Sequence, residues 1–128
     1  MEYYFSRRIK CNREKALEKL TANLKEEGFG IVSELDVSKT LADKAGLSFK
    51  PYTIYGFCNP HYAFEILNMD DKMGVLLPCN VVIQQHENGE TEVTAINPIA
   101  MMKLAANEGM HEKAESVASI FRHAIENI

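Results

Sequence analysis

Two thiols and an imidazole stand beside recognisable backbone signals: Cys58 directly before Asn59-Pro60, His61 directly after it, and Cys79 within Leu-Leu-Pro-Cys-Asn (76–80). Asn is a favoured helix N-cap and Pro a favoured first helical residue, so a helix is predicted to start just past Cys58. A thiol near a helix N-terminus gains from the dipole and the free N–H groups, which favour the thiolate. Three chemistries follow. As a metal site, Cys58 and Cys79 supply thiolates and His61 a nitrogen, leaving a position for another group. As a redox pair, the two thiols need their alpha carbons within about 7 Å. As a nucleophile, one thiol needs an oriented base, and His61 is the nearby candidate. Burial is the competing account, because free cysteine is among the most buried residue types and packing alone explains both. The catalytic and metal-ligating roles of Cys58, His61 and Cys79 therefore stay open, and no motif identifies a cofactor.

Asn-Pro recurs at 97–98. A capping Asn with Pro behind it needs no function, but two helix N-termini opening on one sheet edge could cradle an anion with their N–H groups. Open sheets bind ligands beyond their strand ends, which is where both dipeptides fall. The candidate ligand-binding set is thus Cys58, Asn59, His61, Cys79, Asn80 and Asn97, for a small anion, metabolite or metal. Tyr52, Tyr55, Phe57, Tyr62 and Phe64 surround it as core or as pocket wall. His86 is expected to be solvated near a hairpin tip. Arg7 and Arg8 could meet an anion, and Glu34 with Asp36 a cation, although solvated strand faces account for all four. Cys11 lies in a polar stretch and is assigned nothing. Phosphate loops, Ser-His-Asp order and His-Glu-x-x-His are absent, so nucleotide hydrolysis and zinc proteolysis have no support.

Ten elements must position these residues. Alternation predicts strands over 3–9 and 29–37, the latter half-buried, and an apolar run predicts an interior strand over 52–58. A long strand over 75–86 is interrupted at Pro78, since proline cannot donate to a ladder. Asn88-Gly89 predicts a two-residue type I′ hairpin that sets His86 opposite Thr91 and Asn80 beside Asn97. Helices are predicted after Asn12 (with a stripe of Leu17, Leu20 and Leu24), after Ser38, after Asn59, from Asn97 to Leu104, and over 112–128, with a turn around Asn107 and Gly109. The order β-α-β-α-β-α-β-β-α-α favours parallel neighbours across the helices and an antiparallel hairpin. The expected fold is α+β, close to α/β: one compact domain over 1–128, a mixed sheet of about five strands with helices packed on it.

The chain is 128 residues long, 46% apolar and 25% charged, with a net charge of −4, which is an ordinary globular balance. Mild acidity argues against a nucleic-acid partner, which needs a basic face. Residues 1–10 lack the features of a signal peptide, and the longest apolar run, 74–83, is broken by Pro78 and Asn80, so no membrane partner is expected. An odd count of three cysteines favours reduced thiols and a cytoplasmic location.

Gly-Phe-Cys-Asn-Pro (56–60) and Leu-Leu-Pro-Cys-Asn-Val-Val (76–82) resemble the Domain of Unknown Function 302 family of small bacterial and archaeal proteins. The resemblance runs the whole length, through Glu-Glu-Gly-Phe-Gly (26–30), Ser-Glu-Leu-Asp-Val (33–37), Pro-Tyr (51–52), Asn-Pro (97–98) and the final Ala-Glu-Ser-Val. It departs at Leu-Ala-Asp-Lys-Ala-Gly (41–46), where the family pattern is more basic and only Lys44 remains. The resemblance implies a compact mixed α/β fold and homodimers, and no established reaction. Whether the chain catalyses anything is left uncertain. The expected function is a small homodimeric binding protein with its pocket at the strand ends. A thiol-dependent enzyme or redox protein using Cys58 or Cys79 is the alternative, and a dimerisation module without a site is the third.

Overall fold

The computed structural model describes residues 2–105 and 108–128, so the turn expected at Asn107 lies outside the described residues. The elements are β1 (Tyr4–Ile9), α1 (Arg13–Lys25), β2 (Gly30–Asp36), α2 (Val37–Ala45), β3 (Tyr52–Cys58), α3 (Pro60–Met69), a 3-10 turn (Asp71–Leu76), β4 (Cys79–Gln85), β5 (Thr91–Ile96), α4 (Pro98–Met102) and α5 (Gly109–Glu126). The five strands form one sheet in the order β1-β5-β4-β3-β2. The fold is α+β, as expected.

The sheet is not mixed. Every neighbouring pair is antiparallel, including β2 with β3 and β3 with β4, whose connections carry helices. A parallel crossover requires its helix to pack back across the sheet. Here α2 buries no residue at all, and α3 buries only Ile66. Both act as long hairpin connections rather than crossovers. The sheet is instead covered on one face by α1 and α5. Their stripes of Ala16, Leu20 and Leu24, and of Val117, Phe121, Ala124 and Ile125, meet Phe57, Cys79, Val81, Ile83, Val93 and Ala95 in the main core. A second, smaller apolar cluster of Ile66, Met73, Met102, Met110 and Ala114 joins α3, the 3-10 turn, α4 and α5.

Local signals place most helix ends. Asn12 accepts from the Lys15 N–H at 2.8 Å, Asn59 starts α3 and Asn97 starts α4, each with Pro at the head of the helix. At α2 the cap is Asp36 rather than Ser38: its carboxylate accepts from the Lys39 N–H at 3.0 Å and from Ser38 Oγ at 2.7 Å. These hydrogen bonds hold the Asp36 carboxyl below its usual range. β2 is exposed along its whole length rather than half-buried, because it is an edge strand whose register shifts at a bulge between Ile31 and Ser33. The expected strand start at Val75 is 3-10 turn instead, and the ladder begins at Cys79, beyond a cis Leu77-Pro78 bond.

The hairpin register also differs from expectation, by one residue. Among the described non-glycine residues none has a positive φ, so Asn88 cannot take the first left-handed position of a type I′ turn. Gly89, at φ 84°, takes the left-handed position alone. The Gly89 N–H donates to His86 and the His86 N–H to Glu90, closing a three-residue loop with a glycine bulge. Gln85 therefore pairs with Thr91 and Gln84 with Glu92. A one-residue slip moves each side chain to the other partner and face.

Candidate functional site

Where the two apolar clusters meet, at the end of β3 and the start of β4, lies a narrow cleft. Its cavity volume, counted as the space open to the centre of a water molecule, is about 30 Å³. One water needs roughly 10–15 Å³ by that measure, so there is room for about two. Its walls are Phe29, Phe57 and Tyr62, Ala63 and Ile66 of α3, Leu77 and Pro78 before β4, Pro98, Met101 and Met102 of α4, and Ala114 and Val117 of α5. Cys58, Asn59, Cys79 and Lys113 complete it. Phe29 fixes one wall by stacking on Tyr62 at 6.0 Å and meeting Phe121 edge-on at 5.2 Å.

The structure brings Cys58 and Cys79 to this cleft, as the sequence suggests. Across the ladder Cys79 pairs with Phe57, so Cys58 is one residue beyond its partner. Cys79 is buried, and burial pushes its thiol up to about 12 from the ordinary 9.0, with the nearby Cys58 adding to the effect. It is a thiol, not a thiolate, near neutral pH. His61 does not join them. It lines a neighbouring surface groove with Glu65, Glu112, Lys113 and Ser116. Among the described residues no three His, Cys, Asp or Glu side chains gather closely enough to hold a metal ion, so a set of Cys58, His61 and Cys79 is not assembled.

The asparagines divide. The Asn59 side chain accepts from the His61 and Tyr62 N–H groups at 3.0 and 3.4 Å and donates to the Glu27 carbonyl at 3.1 Å. It caps α3 and ties it to the turn after α1, pressed so closely on Gly28 that a Cβ there would come within 2.9 Å of Nδ2. Asn97 repeats the device, accepting from the Ile99 N–H at 3.1 Å and donating to the Glu2 carbonyl at 3.0 Å. Both Asn-Pro pairs are thus latches with their polar atoms committed, and they form no shared anion cradle. Asn80 is exposed on β4 opposite Gly56 and does not sit beside Asn97, a direct result of the hairpin register.

Other candidates resolve into structure. Arg7 donates to the Glu126 and Ile128 carbonyls at 2.9 and 3.2 Å, closing the end of α5. His86 is not solvated: its side chain is 16% exposed and its Nε2 lies 2.6 Å from Glu92 Oε1. Burial raises the Glu92 carboxyl, but hydrogen bonds from Ser6 and His86, with Arg8 nearby, outweigh it and hold the group below its usual range. Phe64 is 72% exposed and no pocket wall. The contributors missed from sequence are Met101 and Met102, Ile66, Ala114 and Val117. The adjacent methionines just past Asn97-Pro98 were the available signal.

A layer of helices on one face of a five-stranded antiparallel sheet makes this an α+β protein, with an apolar cleft where its two cores meet. The family model described as "Domain of unknown function DUF302" matches residues 5–128, and the chain belongs to that family. A solved structure titled as an uncharacterized conserved protein DUF302 from Bacillus stearothermophilus superposes with a TM-score of 0.90 at 27% identity, covering 99% of this chain and 98% of that one. No curated protein matches the chain. No helix among the described residues is long and apolar enough to cross a membrane.

Proposed function

We propose that this protein binds a compact apolar or soft ligand in the cleft between Cys58 and Cys79, rather than a hydrated anion. The observation that carries this reading is the lining: the helix-capping asparagine has its oxygen and its amide nitrogen both hydrogen-bonded, and Lys113 is engaged by Glu65. A hydrated anion would lose its water shell there with little to replace it. A thiol enzyme is less well supported, because burial keeps Cys79 protonated and His61 lies in the outer groove. Three free thiols support a reducing, cytoplasmic setting. Xenon, a single apolar atom, is the probe. Dissolved xenon should shift the methyl resonances of Ile66, Leu77 and Val117, and Ala63→Phe, which fills the cleft, should abolish those shifts. Shifts confined to other methyls, or unaltered by Ala63→Phe, would refute the reading.

We infer further that two copies pair through the β2 edge. Val32 and Leu35 are 62% and 49% exposed, and Leu47 and Phe49, in the connection from α2 to β3, are exposed as well. Such an apolar strip on an edge strand invites a partner. The bulge at Ile31/Ser33 interrupts the free ladder, so side-chain packing rather than strand addition is the contact. Sedimentation at micromolar concentration should show a dimer that Val32→Lys converts to monomer. A wild-type monomer, or a Val32→Lys dimer, contradicts this.

A further inference from the structure

Residues 59–78 leave the sheet and return to it side by side. Phe57 and Cys79 are ladder partners, and the chain between them makes α3 and the 3-10 turn. This excursion is tied loosely to the rest of the protein. Among the described residues, no hydrogen bond from 60–77 leaves the segment except that of Glu65 with Lys113. α3 packs chiefly against the turn that follows it. It buries Ile66 alone, and the turn buries Met73 alone. Both side chains enter the smaller cluster, where they meet Met102 and Met110. Methionine is unbranched and fills irregular gaps, so this cluster can repack round an occupant or close when one leaves.

We infer that residues 59–78 are a lid on the cleft, opening as one cooperative unit while the sheet stays intact. The lid rests on the cleft reading for its purpose and supplies the regulation of that site. Tyr62, Ala63 and Ile66 are cleft wall, so lifting them opens it. With room for about two waters, the closed cleft takes a larger occupant only when this wall moves. Opening breaks few contacts. Asn59 releases the Glu27 carbonyl, Tyr62 leaves the ring of Phe29, Glu65 parts from Lys113, and Ile66 and Met73 leave their cluster. The β3–β4 ladder is untouched, because both ends of the lid lie beyond its last pair. A segment with few buried apolar groups opens at a lower free energy than the whole protein. Once detached, a helix of 10 residues is too short to persist in water, so its amides become open to exchange.

The test is native-state hydrogen exchange of the protein without any added ligand. The hydrogen-bonded amides of Ala63, Asp70, Met73 and Leu77 should share one opening equilibrium. It should be at least about a hundredfold more populated than the opening that exposes Val81 and Ile83 on β4. Val93→Ala, in the main core, should raise exchange at Val81 and Ile83 by at least about tenfold and leave the lid amides unchanged, since the open lid keeps that core. Asn59→Ala removes a tie lost in either opening and should raise both sets by about tenfold. Lid amides that exchange no faster than those of β4, or that respond to Val93→Ala as β4 does, overturn the inference. The wild-type ranking decides the matter if Val93→Ala fails to fold. Lid opening without a xenon response would defeat the cleft reading alone, whereas a xenon response without separate opening would defeat the lid alone.

Discussion

Gly56→Ala should destabilise the protein by about 3 kcal/mol, the upper part of the range for adding a methyl group to a filled interior. A Cβ at Gly56 would sit 2.5 Å from Pro78 Cγ and press on Ser33 Oγ as well. The serine can rotate away; the proline ring cannot. Gly56 is buried on an interior strand between β2 and β4, so there is no side to which the new methyl can escape. Gly30 is the control, since it lies at the start of the edge strand and a Cβ there meets nothing within 4 Å. Gly30→Ala should be neutral or raise stability by up to about 1 kcal/mol, through the unfolded chain. Thermal melts should separate the two variants by roughly 10 °C. Equal melting temperatures would show that Pro78 yields freely. Because Pro78 is also a wall of the cleft, Gly56→Ala should weaken the xenon response too.

Cys79 should react with iodoacetamide about a thousandfold more slowly than an unperturbed thiol at pH 8, because thiolate is the attacking form and its pKa is raised from 9.0 to about 12. The same shift makes stability depend on pH in alkali. Between pH 9 and 12 the unfolded thiol has lost its proton while the folded one retains it. The folded state then binds more protons, so stability falls as pH rises, by about 1 kcal/mol per pH unit across that window. Below pH 9 the thiol is protonated in both states and contributes no slope. Burial, and secondarily Glu34, also raises the Tyr55 phenol, so the raw pH profile contains both groups. Subtracting the profile of Cys79→Ala isolates the thiol. Denaturant melts from pH 8 to 11 should give a shallower decline for the variant. Parallel declines, or peptide mapping that finds Cys79 alkylated as fast as free cysteine in the folded protein, would contradict the burial of this thiol.

What could be read from the sequence is what short-range chemistry dictates. Asn12, Asn59 and Asn97 cap helices because a side-chain oxygen reaches an N–H two or three residues on, a decision made within one turn of chain. The stripe of Leu20 and Leu24, and that of Ala114, Val117, Phe121 and Ala124, is likewise periodic and local. The sheet was less legible. A helix between two strands is compatible with antiparallel neighbours when, like α2, it buries nothing against the sheet. The hairpin slip turned on whether Asn88 or only Gly89 takes a positive φ, and that choice moved Asn80 away from Asn97 and paired His86 with Glu92. The cleft was half-legible: Cys58 and Cys79 share it, but Met102, Ala114 and Val117 come from elements whose approach is set by tertiary packing.

The strand order has a temporal meaning. Tyr4 lies opposite Ile96, and Arg7 closes the far end of α5. During synthesis the first strand therefore waits, without its ladder partner, until the hairpin that follows Asn80 has left the ribosome. β2 and β3, which pair with each other, are both made before β4, whereas β1 has no ladder partner until β5 has been made. Such long-range closure raises contact order and slows folding relative to a helical chain of this size. Nascent protein is thus exposed at β1 for most of its synthesis, with Tyr4, Phe5 and Ile9 unpaired over that interval.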